Sequence, residues 1–323
     1  MERVIGVDIG GTKCALILAE VQDGFRINII KKIRFETCTP KGFEYARDRI
    51  FEAVRQLMDE SDGPVCAIGI SCGGPLDSRR GIIQSPPNLP GWDDIAITEM
   101  LEREFGVPAY LQNDANACAL VEWKLGAGRG CDSMVFLTMG TGMGAGIIAE
   151  GRLLRGAGDM AGEVGHVRLR EDGPVGYGKA GSFEGFTSGG GIARLACMLR
   201  DSWTEADDRP CWIEDDENIT TKRLAEYARA GDRHALSVFE QAGMYLGEGI
   251  AILADILDPE MIVIGGVFMR CEDLISESMW RVIRREALPH IANRMKVVPA
   301  KTGEAIGDFA AVMVALYGKG IMC

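Results

Sequence analysis

The sequence predicts a mixed α/β chain built from two similar units. Val4 to Glu20 reads VIGVDIGGTKCALILAE, and Met134 to Glu150 reads MVFLTMGTGMGAGIIAE. Apolar residues fall on apolar residues, Gly10 on Gly140 and Asp8 on Thr138, and both stretches end in Ala-Glu. An internal repeat implies one structural unit used twice. Branched apolar runs around a Gly turn read as strand, turn, strand. The segments between alternate helical and strand-like patterns, as layered α/β chains do. A length of 323 residues suits two domains, and 47% hydrophobic residues supply two cores.

The elements follow from periodicity. Lys41 to Met58 carries Phe43, Ala46, Ile50, Phe51, Val54 and Leu57 at helical spacing, which predicts an amphipathic helix over the first sheet. Val65 to Cys72 is a short strand ending at Gly73-Gly74-Pro75. Gly81 to Trp92, with three prolines and no periodicity, is an ordered loop carrying Asn88, either a connector or a stiff support for that side chain. A helix over Ile97 to Phe105, a strand over Val107 to Leu111 and a small-residue helix over Ala115 to Leu125 come next. Gly173 to Gly181 reads as loop, and the acidic, aromatic stretch 201–218 as a surface insertion. Helices are expected over Thr220 to Ala230 and His234 to Leu257, the second with Gly243, Gly247 and Gly249 for close packing and broken by Pro259. Glu260 to Phe268 is a buried strand, Ser276 to Glu286 a helix, Val297-Val298 an edge strand and Gly303 to Tyr317 a final helix.

The Gly turns suggest an anion site. Glycine lets backbone N–H groups approach a phosphate closely. Asp8, at the end of the first strand, is placed to hold a hydrated Mg²⁺. Thr12 adds a hydroxyl and Lys13 a cation. An ordinary hairpin turn is the plainer reading of one such stretch, whereas two turns facing each other would grip a polyphosphate. Neither turn is a P-loop or a dinucleotide fingerprint, because Cys14-Ala15-Leu16 and Ile147-Ile148-Ala149 continue as strand, not helix. Asp114, in Gln112-Asn113-Asp114-Ala115-Asn116, is either a helix N-cap or a carboxylate aimed as a general base. His166, in Gly162-Glu163-Val164-Gly165-His166, is either a packed histidine or part of a polar cluster with Glu163, and Glu184 adds another carboxylate.

Composition narrows the function classes. A formal charge of −12 argues against nucleic acid as a partner, but not against ATP in a local Gly/Lys/Mg²⁺ site. No apolar run is long enough to span a bilayer, and Met-Glu-Arg before a strand is no signal peptide, so a cytoplasmic, non-membrane protein is expected. Ten scattered cysteines without a Cys-x-x-Cys pair indicate no disulfide framework.

Taken together, VDIGGTK, GGPLDSRRG, PPNLPGW, QNDANACAL, LTMGTGMGAG, GEVGH, FEGFTSGGGIAR and DPEMIVIGGV resemble, in order and nearly end to end, the ROK sugar kinases (repressors, open reading frames and kinases) of the actin/hexokinase-like ATPase superfamily. The resemblance implies two RNase-H-like domains with a cleft between them. These would be 1–113 with 303–323, closed by the C-terminal helix, and 114–302. It implies ATP with Mg²⁺, a hexose or N-acetylhexosamine phosphorylated at its primary hydroxyl, and a homodimer. Asp114 matches the family's catalytic base. Gly74, Asn88, Asn113, Asp114, Glu163, His166 and Glu184 match its sugar contacts. Asp8, Gly10, Gly11, Thr12 and Lys13, with Gly140, Thr141 and Gly142, match the phosphate turns, and Gly189, Gly265 and Gly266 the adenosine side. The rivals are a sugar-sensing regulator of the same family, for whose N-terminal helix-turn-helix a first strand at Val4 leaves no room, and a non-catalytic sugar-binding protein. An actin-like filament or chaperone ATPase would lack the polar cluster of Asn88, Asn113, Glu163, His166 and Glu184.

One stretch departs from the family pattern. Where relatives carry Cys-Gly-Cys-Gly-x-x-Gly-Cys-x-Glu, with the three cysteines and the preceding histidine on a structural zinc, this chain reads Val175-Gly176-Tyr177-Gly178-Lys179-Ala180-Gly181-Ser182-Phe183-Glu184. Valine cannot ligate zinc, and neutral Tyr or Ser hydroxyls are poor ligands beside thiolate or imidazole. No zinc is therefore expected, and Val175, Tyr177 and Phe183 are expected to form an apolar cluster in its place.

Overall fold

The computed structural model describes residues 2–22, 26–203, 210, 212 and 219–321. In chain order it contains β1 (Glu2–Ile9), β2 (Lys13–Gln22), β3 (Arg26–Glu36), α1 (Gly42–Asp59), β4 (Val65–Cys72), β5 (Leu76–Asp77), β6 (Ile82–Ile83), α2 (Ile97–Phe105), β7 (Ala109–Asn113) and α3 (Asp114–Lys124). Next come β8 (Met134–Met139), β9 (Met143–Ala149), β10 (Arg152–Leu153), β11 (Val175–Gly176), β12 (Lys179–Ala180), α4 (Phe183–Thr187), α5 (Gly189–Ser202), α6 (Thr221–Arg229) and α7 (Arg233–Leu257). The chain closes with β13 (Met261–Gly266), α8 (Phe268–Glu286), α9 (Pro289–Arg294), β14 (Lys296–Pro299) and α10 (Ile306–Gly318).

The repeat in the sequence is a repeat in topology. One sheet runs β3-β2-β1-β4-β7 and the other β10-β9-β8-β13-β14. In each, the repeated stretch forms an antiparallel hairpin, β1 with β2 and β8 with β9. Its first strand then takes a parallel partner on the other side, β4 or β13. Parallel pairing needs a crossover, and α1 and the long helical segment between β9 and β13 supply one each.

Two compact units result. The first holds Met1–Leu125, Arg155–Ala161 and Glu304–Cys323, and the second Gly126–Leu154 and Gly162–Gly303. The division falls after α3, not at 113/114, because α3 packs against α10. Segment 155–161 joins the first unit through Asp159, whose carboxylate accepts from the Ser78 backbone N–H at 2.8 Å and from Ser78 Oγ at 2.7 Å.

Side-chain alternation decides which face of the first sheet does what. Ile5, Val7 and Ile9 of β1 and Ile68, Ile70 and Cys72 of β4 share a core with Phe43, Ala46, Ile50, Val54 and Leu57 of α1. The intervening Gly6 and Gly69 present bare backbone to α10. Asp8 and Ser71 have the same parity as those glycines, so the β1 carboxylate points away from the α1 core. In the second unit, α7 lies on α8 through Gly243 and Gly247, where a Cβ would meet the carbonyl oxygens of Ile275 and Met279 at 2.6 and 2.5 Å.

The expected elements match with local differences. Strand β7 starts at Ala109, after Pro108, and runs on to Asn113. Helix α8 begins at Phe268, with Cys271 off helical geometry, well before the expected Ser276. The stretch 173–181 contains the β11–β12 hairpin, not loop alone. Within the supposed surface insertion Trp212 is buried, packing beside Trp203 and Tyr227. Positions 204–209, 211 and 213–218 of that insertion lie outside the described residues. No helix is long and apolar enough to cross a membrane among the described residues. Among the described residues eight cysteines are free thiols, of which Cys14, Cys72, Cys131 and Cys271 are buried.

Candidate active site

In the first unit, three parallel strands end together, and the sequence places a polar group at each end. Asp8 of β1 is in register with Ser71 of β4, and Cys72 of β4 with Asn113 of β7. The carboxyl ends of parallel strands are where open α/β sheets collect ligands. Gly10 closes the β1–β2 turn by donating its N–H to Lys13 O at 3.1 Å, and its carbonyl accepts from Thr37 Oγ1 at 2.5 Å. Thr12 and Lys13 are exposed at the turn.

The loop carrying Asn88 is anchored by its apolar residues. Leu89 and Trp92 are fully buried, with Trp92 edge-on to Phe43 at 4.9 Å. Asn88 is thereby held out, its backbone against Gly11 and its side-chain amide against Gly73. The Asn113 amide lies against Gly74 in the same way. Asn113, not Asp114, is the N-cap of α3, its Oδ1 accepting from the Ala115 N–H at 2.9 Å. Asp114 is the first helical residue and takes the same N–H on Oδ1 at 2.8 Å.

The carboxylates at these strand ends are perturbed. Asp114 is solvent-accessible yet closely surrounded by protein, and loss of water around it raises its carboxyl above the ordinary value. Asp8 is pushed up to about 6, first by burial and then by the charges of Asp114 and Asp308, with Lys32 and a hydrogen bond from Ser71 opposing. Lys32 is ion-paired to Asp308 of α10. Sequence reading missed Asp308 and Lys32. Their only signal is a charge on an otherwise apolar helix and another on a half-buried strand. Among the described residues no three His, Cys, Asp or Glu side chains converge as ligands for a bare metal ion. A hydrated Mg²⁺ held through water needs fewer direct ligands, and the Asp8 carboxylate fits that role.

The Asp8 shift gives a pH prediction. Folding raises its pKa from 3.8, so its stabilising contribution is fully present below that value and is lost as pH rises through about 6. Without Mg²⁺, Asp8→Asn should therefore melt above wild type at about pH 8, and the gap should close as pH falls through about 6. Identical melting temperatures across that range would show that Asp8 carries no such strain.

In the second unit the β8–β9 turn is tighter by one residue, with Met139 paired to Met143 and the Gly140 N–H donating to Gly142 O at 3.0 Å. The Gly140 carbonyl accepts the N–H of Gly189, the first residue of α5, at 2.8 Å. Gly265 and Gly266, at the end of β13, are in register with Thr138 and Met139. The structure thus gathers Gly140, Thr141, Gly142, Gly189, Gly265 and Gly266 at one sheet end. Glu184 reaches the same turn, accepting from the Met143 N–H at 3.0 Å. Glu163 and His166 flank a short 3-10 turn against β9, both exposed.

Comparison with known proteins fits this arrangement. The ROK family profile matches residues 4–316. The chain belongs to the ROK family. It is 31% identical to a glucokinase of Thermotoga maritima over 97% of this chain and 96% of that one. A ROK hexokinase from Thermus thermophilus superposes with a TM-score of 0.80 at 32% identity, covering 99% of both chains. A ROK family glucokinase from Streptomyces griseus, solved with glucose and AMPPNP, gives a TM-score of 0.74 at 32% identity over 98% of this chain and 100% of that one. A xylose repressor of Caldicellulosiruptor bescii is 28% identical over 88% of this chain and 70% of the repressor. The two units accordingly have the actin/hexokinase-like fold.

The ROK segment that departs from pattern does not suit zinc. Val175 is 49% exposed and offers no donor atom. Ser182 Oγ caps α4 by accepting from Gly185 N–H at 3.1 Å. The expected apolar cluster does not form either. Tyr177 is 70% exposed while Phe183, at 1%, belongs to the main core of the unit. Tyr177 sits in the left-handed region, at φ 43°, because the β11–β12 turn demands it. Its ring instead meets the His166 imidazole edge-on, centroids 6.3 Å apart. Lys179 Nζ donates to the His166 carbonyl at 2.7 Å, so the hairpin holds this histidine through two residues. On the expectation that His166 contacts a sugar, Tyr177→Ala should weaken sugar binding by about 2- to 10-fold, the worth of one aromatic pair, and leave nucleotide affinity unchanged. Titration calorimetry showing unaltered sugar affinity would remove Tyr177 from this role.

Proposed function

We propose that the protein is an ATP-dependent sugar kinase, transferring the γ-phosphoryl group of ATP to the primary hydroxyl of a hexose or N-acetylhexosamine. The observation that carries the reading is Asp114, accessible and with a raised pKa, at the sheet end that also holds Asp8 and the Gly10–Lys13 turn. A sugar hydroxyl is a weak nucleophile. Asp114 orients it and takes its proton as the oxygen attacks phosphorus and the bond to the ADP leaving oxygen breaks. The protein's main work is then positioning and charge neutralisation. We assign the polyphosphate to Lys13 and to the backbone N–H groups of Gly11 and Thr12 and of Thr141 and Gly142, with Gly10 and Gly140 closing those turns, and the adenosine side to Gly189, Gly265 and Gly266. Bound Mg²⁺, held through water by Asp8, would supply further neutralisation of phosphate charge. We assign Gly74, Asn88, Asn113, Asp114, Glu163, His166 and Glu184 to the sugar hydroxyls, and carry a homodimer as part of the same reading.

Similarity to glucokinases at about the same identity over nearly full length supports it. The repressor likeness keeps a sugar-sensing regulator as the second reading. A sugar panel in a coupled ADP-release assay separates them. The kinase reading requires ADP release that depends on one sugar. Sugar binding without ADP or sugar phosphate would establish the regulator or a non-catalytic binder.

A further inference from the structure

We infer that Glu184 is a positioning residue for the nucleotide, its carboxylate holding the second Gly turn in shape. The inference deepens the kinase reading, in which the same residue is assigned to the sugar alone. Met139 O, across the hairpin from Met143, is taken by the Val267 N–H at 2.7 Å. The Met143 N–H is instead received by Glu184 Oε2 at 3.0 Å.

The surroundings are shaped for that carboxylate. A methyl group on Gly142 would lie 2.7 Å from Oε2. On Gly165 or Gly176 it would lie 3.3 or 3.0 Å from Glu184 Cβ. Gly142 is thus the glycine that Glu184 itself requires, while Gly165 and Gly176 are held tightest by the Met143 carbonyl at 2.1 Å and the Gly185 nitrogen at 2.6 Å, with the Glu184 stem packed just beyond. The opposite flank of the turn is tied as well, by the Gly189 N–H on Gly140 O.

Both ties come from one rigid segment. Phe183 and Phe186 of α4 are each 1% exposed. The Ser188 N–H donates to Glu184 O at 3.0 Å, and Ser188 Oγ caps α5 by accepting from Gly191 N–H at 2.9 Å. Residues 184 and 189 therefore form a two-point clamp on Gly140 to Met143. A ligand that engages the Glu184 carboxylate also bears on the N–H pattern facing a phosphate, which is a coupling between two ligands through one side chain.

The test uses AMPPNP with Mg²⁺ and no sugar, by titration calorimetry, with hydrogen exchange at the Met143 amide. Removing the acceptor in Glu184→Ala should weaken AMPPNP about tenfold and expose the Met143 amide to exchange. Glu184→Asp, one methylene shorter, should behave alike while keeping charge. Glu184→Gln keeps an acceptor oxygen at the same reach, so it should hold AMPPNP within about twofold of wild type and preserve the protected amide. Wild-type or tighter AMPPNP binding by both Glu184→Ala and Glu184→Asp overturns the inference and leaves the kinase reading standing. Wild-type protein that binds AMPPNP but phosphorylates no sugar removes the kinase reading and leaves the clamp standing.

Discussion

Replacing Asp114 by asparagine is expected to lower kcat by about 10²–10⁴-fold while sugar and nucleotide affinities stay within about twofold. Asparagine has nearly the same shape and can still accept the Ala115 N–H, which Asp114 takes at 2.8 Å. Helix α3 therefore starts as before, because its cap is Asn113. What disappears is the oxygen that takes the proton in the proposed kinase mechanism. Loss of the charge also relieves Asp8, whose pKa is raised partly by Asp114. The variant should accordingly melt at or above wild type while being nearly inactive. That pairing distinguishes loss of a base from loss of structure. Wild-type-like kcat in Asp114→Asn would take the residue out of the mechanism, and a lower melting temperature would make its role structural.

Gly69→Ala is expected to destabilise the first unit by about 3 kcal/mol, the upper end of ordinary overpacking. A Cβ there would lie 2.1 Å from the Ala311 carbonyl oxygen and 2.3 Å from the Ala315 nitrogen of α10. These are backbone atoms and cannot rotate away, so α10 must lift off β4. A methyl on Gly6, in the neighbouring strand, would lie 2.7 Å from the Val312 nitrogen, so the two glycines together set how close the helix comes. A methyl on Gly307, in the same helix, would have nothing within 4 Å, and Gly307→Ala should be neutral or stabilising by up to about 1 kcal/mol. Calorimetric melting should show a large downward shift for Gly69→Ala and none for Gly307→Ala. Equal melting temperatures would mean that α10 does not press on β4.

The elements whose burial pattern repeats along the chain were legible in the sequence. The stripe of Phe43, Ala46, Ile50 and Val54 located α1, and the paired Gly stretches located both hairpins and hence the doubled topology. Strand β3 was not legible, since Arg26–Glu36 mixes exposed and half-buried positions at a sheet edge without clean alternation. The β11–β12 hairpin escaped because two-residue strands carry no periodicity. In the site, motif order singled out the turns, Asn88 and Asp114. Asp308 and Lys32 stayed hidden because their bearing on Asp8 exists only once α10 and β3 are brought to β1. Tyr177 on His166 was hidden for a similar reason, as the contact depends on a left-handed residue in a turn that propensity alone does not place.

The position of α10 also sets an order of events during synthesis. Ala310 to Leu316 are almost entirely buried, and α10 packs on β1, β4 and α3. Those strands leave the ribosome well before the helix that covers them, because α10 follows the whole second unit in the chain. The second unit lies wholly between, so its core can be complete while the earlier one still shows an uncovered sheet face. Domains fold as units as they emerge, and exposed apolar surface in the meantime invites aggregation or chaperone capture. The half of the molecule that starts first is therefore the half that finishes last. A nascent chain stalled before Ile306 would have a finished second core and a first core still waiting for its lid.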